Sequence, residues 1–221
     1  MPTIDGFGIE RGSVFLPSDG IWSAELVPFD DALLEEGQRV ELVIGDLTLS
    51  GTVTAGGVLV SGGGVYVVGG AGGWRKSIAR RAYRDDAGGV KLAGVLKDLA
   101  KDTGEDVELA ASLAGATVGP AWTRPAGTAA EALDVLGRPW RVRADGVTEV
   151  GPLVTRAAPG IVSLRRPDPA HRRAIVEFPD DEVASVVPGS VLDLAEDFTI
   201  TVASAAITIT SGTIRARLTS A

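Results

Sequence analysis

The sequence predicts a mainly β fold of the α+β class, with two small antiparallel β-barrels flanking an inserted α/β module. Three observations carry this expectation. Residues 1–74 hold short apolar runs that alternate with polar residues at the period of a strand. Between residues 75 and 160 the apolar residues fall instead at helical spacing. From residue 161 onward the alternation returns. The expected division is an N-terminal barrel over 1–74, an α/β module over 75–160 and a C-terminal barrel over 161–221. A chain of 221 residues accommodates one or two domains, or three small ones, at roughly 100–200 residues per domain.

In the first region, residues 39–44 (RVELVI) place Val40, Leu42 and Ile44 on one face. Residues 46–54 (DLTLSGTVT) continue the alternation with Leu47 and Leu49, and Gly45-Asp46 reads as the tight turn between them. Pro17, Asp19 and Gly20 mark a turn before a strand over 21–26 that buries Trp22 and Leu26. Shorter strands are expected over 57–60 and 65–68, separated by Ser61-Gly62-Gly63-Gly64. Several short strands with turn residues every 8–12 positions indicate a barrel or sandwich.

The pattern changes after Gly73. Residues 90–103 set Leu92, Val95, Leu96 and Leu99 on one helical stripe, with Gly104 where a C-terminal cap belongs. Thr128-Ala129-Ala130-Glu131 is a capping-box sequence, in which the Thr hydroxyl accepts from the amide three residues on and the Glu reaches back. Ala132, Leu133 and Leu136 give that helix its apolar side, and Gly137-Arg138-Pro139 stops it. A hairpin follows, with Asp145-Gly146 as a two-residue turn between 140–144 and 147–150. In the last region strands are expected over 174–178, 190–194, 198–203, 206–210 and 214–218, with breaks at 179–182 and at Pro188-Gly189.

Composition excludes several functions. With no Cys the chain has no disulfide framework, thiolate metal site or thiol nucleophile, and its single His, His171, excludes a His-pair metal motif within one chain. Twenty-one basic residues against 29 acidic ones give a net charge of −8, which argues against specific nucleic-acid binding. The N-terminus lacks a basic segment followed by an apolar run, and no stretch reaches the ~18 apolar residues of a membrane helix, so a soluble chain without membrane insertion is expected.

No motif rises to a catalytic or ligand site. In Gly69-Gly70-Ala71-Gly72-Gly73-Trp74-Arg75-Lys76-Ser77, Trp74-Arg75 separates the last Gly from Lys76, which breaks the phosphate-loop register, and Gly70-x-Gly72 fails the dinucleotide spacing. This stretch reads as a flexible crossing between modules, with Trp74 packed at the junction. The acidic runs Asp30-Asp31, Glu35-Glu36, Asp85-Asp86 and Asp180-Asp181-Glu182 lack calcium-loop spacing and read as solvated turns. His171 lies in the dense basic patch over 165–173, which reads as a linker or subunit contact; no Gly-x-Ser-x-Gly is present to supply a nucleophile. Trp22, Trp74, Trp122 and Trp140 fall in separate segments and read as core anchors. No catalytic, cofactor-binding or metal-ligating residue is assigned, no cofactor is expected, and the protein reads as a non-enzyme.

Taken together, several short motifs resemble the tail-hub proteins of bacteriophages. They are Ile21-Trp22-Ser23-Ala24-Glu25, the segment 37–42 (GQRVEL), the strand 49–53 (LSGTV) and the crossing 68–75 (VGGAGGWR). The helix over 90–103, the segment 127–134 (GTAAEALD), Trp140-Arg141-Val142 with Asp145-Gly146-Val147, and the terminal segments 188–192, 198–209 and 212–218 extend the resemblance. It implies a structural baseplate or tail-tip hub, built as a homotrimer whose barrels form a ring joining the tail tube or distal tail protein to the central spike or fibre. Localisation in the virion tail after assembly in the host cytoplasm follows from it. The alternatives are a tail-tip module that binds carbohydrate or the cell surface, and a tail-associated peptidoglycan hydrolase.

Overall fold

The computed structural model describes residues 1–29, 34–55, 64–158, 163–177, 182–195, 198–210 and 213–220. The first region holds β1 (Thr3–Ile4), β2 (Phe7–Pro17), β3 (Ser23–Pro28), β4 (Arg39–Ile44), β5 (Leu47–Ala55) and β6 (Val65–Gly69). Their antiparallel pairing runs β1–β4–β5–β6–β3–β2 and returns from β2 to β1, so six strands close on themselves. The expected alternation positions the core: Val40, Leu42 and Ile44 point inward while Arg39 and Glu41 are exposed. The strand expected over 57–60 and most of the separator over 61–64 lie outside the described residues.

Trp22 fills the interior against two glycines. A Cβ on Gly51 would come within 2.7 Å of the ring's Cη2, and one on Gly69 within 2.5 Å of its Nε1. Neither position leaves room for a side chain beside the buried indole. Gly51→Ala or Gly69→Ala is therefore expected to destabilise the chain by about 1–3 kcal/mol through overpacking. A urea midpoint unchanged in both variants would refute this packing.

The middle region opens with a 3-10 turn at Gly73–Arg75, then β7 (Ser77–Ile78), β8 (Arg81–Arg84), α1 (Leu92–Thr103), β9 (Val107–Leu109), β10 (Ala121–Arg124), β11 (Gly127–Thr128), α2 (Ala129–Asp134), β12 (Trp140–Val142) and β13 (Thr148–Val150). Helix α1 buries Leu92, Val95, Leu96 and Leu99, and ends at Gly104 in the left-handed conformation (φ 79°), whose N–H donates to the Ala100 carbonyl. Both bonds of the Thr128/Glu131 capping box are formed at α2. Strands β7 and β11 pair, β8 and β10 form a ribbon, and β12–β13–β9 form a small sheet in which β13 and β9 are parallel.

The hairpin turn is longer than the expected two residues. The Arg143 amide donates to the Val147 carbonyl and the Gly146 amide to the Arg143 carbonyl. The loop thus has three residues, with Gly146 at φ 82°. Gly in the left-handed position after a tight turn is the usual chemistry of that loop length.

The last region contains β14 (Arg156–Ala157), β15 (Ser163–Asp168), β16 (Arg173–Glu177), β17 (Ser190–Ala195), β18 (Phe198–Thr210) and β19 (Thr213–Ser220). The two strands expected over 198–203 and 206–210 are one 13-residue strand, β18, with an irregularity between Val202 and Ser204. The basic patch over 165–173 is not a linker between modules. It forms β15, a 3-10 turn at Pro169–His171 and the start of β16, and so is the tip of a hairpin.

The fold is mainly β, as expected, with both β regions in one sheet. Strand β2 pairs through Gly12–Pro17 with Ser204–Ile209 of β18, and the path continues β18–β19–β16–β15. With β17 and β14 attached beside β18, the sheet holds twelve strands. At 11 and 13 residues, β2 and β18 are long enough to pair along different parts of their length with different partners. Among the described residues no pairing closes the C-terminal strands into a second ring.

Candidate functional site

Two places concentrate polar chemistry: the joint between the sheet and the middle region, and the outward face of the C-terminal strands. At the joint, the Gly-rich crossing is not loose. Glu105, only 4% exposed, directs both carboxylate oxygens into it. Oε2 accepts from the Ala71 amide at 2.8 Å and Oε1 from the Gly73 amide at 2.5 Å. Backbone amides in a Gly loop do here what they do around a phosphate, but the anion they hold is the chain's own carboxylate. Gly73 fits because its Cα faces the α1 terminus, where a Cβ would lie 2.3 Å from the Thr103 carbonyl oxygen.

Trp74 follows that loop and is buried as expected. It does not anchor alone: its ring meets Trp140 at 5.7 Å between centroids, and its Nε1 donates to Thr148 Oγ1 at 2.8 Å. Trp140 in turn donates through Nε1 to Asp134 and through its amide to Asp19. Backbone bonds from Gly20 to Trp140, from Val142 to Gly20 and from Ser50 to Ala144 strap β12 and its turn to the N-terminal strands. Beside this strap, Arg143 spans Asp145 and Glu108. Its hydrogen bond holds the Asp145 carboxyl below the usual carboxylate range, against a smaller opposing effect of burial.

The remaining residues weighed in the sequence stay apart. Trp122 pairs with Tyr83 across the β8–β10 ribbon, away from the other Trp residues. Asp85 accepts from the amides of Ala87 and Gly88, and Asp86 pairs with Arg84, both as turn carboxylates. Asp30, Asp31, Asp180 and Asp181 lie outside the described residues. His171 is exposed and its Nδ1 lies 2.9 Å from Asp168, which also caps the hairpin-tip turn. Among the described residues, no cluster of three or more His, Cys, Asp or Glu side chains could hold a metal. No described helix is long and apolar enough to cross a membrane.

No sequence motif marks the second place. On the outward face of β18–β19–β16–β15, cross-strand register sets Arg166, Ile175, Arg217 and Ala206 in one row and Glu177, Arg215 and Thr208 in the next. These residues border a shallow groove of about 850 Å³. Arg215 pairs with Glu177 at 2.5 Å. Arg166 and Arg217 are exposed and form no ion pair with any described residue. The alternation Arg215-x-Arg217 was visible in the sequence; the arrival of Arg166 beside it, from some fifty positions away, depends on the sheet order.

No protein-family model matches this sequence, and no curated protein matches it either. Solved structures do. The 43 kDa tail protein of prophage MuSo2 from Shewanella oneidensis matches at a TM-score of 0.62 and 12% identity, over 98% of this chain and 95% of that one. A tail protein from Neisseria meningitidis MC58 matches at 0.66 and 14%, again over 98% and 95%. The c3393 protein of E. coli matches at 0.65 and 11%, over 100% of this chain and 77% of that one. That protein is described as a component of the type VI secretion system with structural similarity to the T4 bacteriophage tail proteins gp27 and gp5. Identities this low speak to architecture, and the architecture agrees along nearly the whole length: this chain has the fold of the phage tail proteins that its sequence motifs resemble.

Proposed function

We propose that this chain is a non-enzymatic structural component of a phage-type tail. It acts as a hub in which copies assemble into a ring, a homotrimer, between the tail tube or distal tail protein and the central spike or fibre. The observation that carries this is the extent of the fold likeness: two tail proteins and a tail-like secretion component match over 98–100% of the chain. The division into N-terminal (1–74), middle (75–160) and C-terminal (161–221) units belongs to the same proposal. In it the paired β regions form the ring, and the middle unit is strapped onto it through β12 and Glu105. The chain would then work through surfaces, in the virion tail, after assembly in the host cytoplasm.

The test is genetic and structural. In cells that produce the particle, removing this gene should leave tail tubes without a spike end, and purified wild-type tails should contain the protein by mass spectrometry. Complete, infectious tails made without it would refute the proposal.

A further inference from the structure

We propose that the arginine groove on β15, β16, β18 and β19 is one half of a head-to-tail contact between copies of this chain. Its other half is an acidic turn at the start of β4. The inference rests on the self-assembly proposed above and adds which surfaces meet.

The groove places two guanidinium groups that form no ion pair with a described residue, Arg166 and Arg217, on either side of Ile175 in a chain of net charge −8. Its floor is formed by short or compact side chains, Ala206, Thr208 and Ile175, so a protruding turn can approach closely. The same chain presents an exposed acidic turn elsewhere. Glu35, Glu36, Glu41 and Asp5 are all exposed. Gln38 links two of them: its Nε2 donates to Asp5 at 2.9 Å, its Oε1 accepts from the Glu35 amide, and its own amide donates to the Glu35 carbonyl. The Glu41 amide donates to the Asp5 carboxylate. None of these four carboxylates forms an ion pair with a described residue.

One surface is therefore cationic and concave, the other anionic and exposed, and they lie on different strands of one sheet. A contact between unlike surfaces of identical chains is heterologous, and it produces a closed ring when the rotation between copies closes. Unlike-charge pairing across such a contact also sets register and rejects wrong partners.

The experiment is a charge swap read by sedimentation velocity. Wild-type protein should form an oligomer whose association weakens as salt rises from about 0.05 M to about 0.5 M, as the Debye length shortens. Arg166→Glu with Arg217→Glu should weaken association at least about tenfold, and so should Glu35→Lys with Glu36→Lys and Glu41→Lys. Mixing the two variants restores unlike-charge pairing in both senses, acidic groove to basic turn and basic groove to acidic turn. Alternating mixed oligomers with an even number of chains should therefore form where neither variant associates alone; a chain carrying both sets should recover the wild-type oligomer. Arg166→Gln with Arg217→Gln serves if the reversed chain fails to fold.

A wild-type oligomer whose mass ignores every substitution would overturn the assigned contact while leaving self-assembly standing. A wild-type chain that stays monomeric would overturn both. Duplex DNA binding that is lost in the arginine variants, with the oligomer unchanged, would overturn the contact in favour of a phosphate-binding groove.

Discussion

Replacing Trp74 by Ala is expected to destabilise the folded chain by about 3–5 kcal/mol, the range for truncating a buried aromatic residue. For a chain of this size that corresponds to a thermal midpoint lowered by roughly 6–20 °C. Three losses combine. The indole is 1% exposed, so its removal leaves a cavity in the joint. The contact with Trp140 disappears, and with it the packing that holds β12 against the loop around Asp19 and Gly20. The fully buried Thr148 hydroxyl loses its donor. Trp74→Phe is the milder change: it keeps part of the ring contact, loses the hydrogen bond and some buried volume, and should cost less than Trp74→Ala, about 1–3 kcal/mol. Differential scanning calorimetry of both variants checks the size and the order. Equal midpoints for Trp74→Ala and wild type would show that the middle region is not held at this joint.

Glu105→Ala should rank next, at about 2–4 kcal/mol. The carboxylate satisfies two amides of the Gly-rich crossing, and charge-assisted bonds of this kind contribute about 1.5–3 kcal/mol each while orphaned buried donors cost a similar amount. Glu105→Gln retains one oxygen acceptor and should lose less. Hydrogen exchange supplies a local readout alongside urea unfolding: the Ala71 and Gly73 amides should lose protection in Glu105→Ala ahead of the sheet amides. Unchanged protection at those two amides would mean that the crossing is held by something other than this side chain.

Both residues show where sequence reasoning reached and where it stopped. The face of α1 was legible because one stripe of Leu92, Val95, Leu96 and Leu99 faces the core while the other sides meet solvent. The Thr128/Glu131 cap was legible because both partners lie within one turn. Strand β2 was not singled out, for a physical reason. Its register shifts between Ile9 and Arg11, so the buried residues change from an odd position (Ile9) to even ones (Val14, Leu16) and the period-2 signal cancels. Strand β18 looked like two strands for the same reason: Ile200 and Val202 are buried before its irregularity, and Ala205, Ile207 and Ile209 after it.

The joint and the groove depend on distance in sequence. Trp74 announced itself as a junction residue, but nothing local marks Glu105 as the partner of amides 32 and 34 positions away. The same holds for Arg166 and Arg217, which become neighbours only because β16 lies between β15 and β19. The pairing of β2 with β18, which puts the two ends of the chain in one sheet, is likewise a long-range fact that periodicity does not encode.

The mass of the wild-type chain in solution tests the central proposal most directly. Analytical ultracentrifugation at rising protein concentration should show a closed oligomer at three times 22.7 kDa, as expected for a hub that assembles with its own copies. A single species at 22.7 kDa at every concentration, from a protein that is also absent from purified tails, would contradict it.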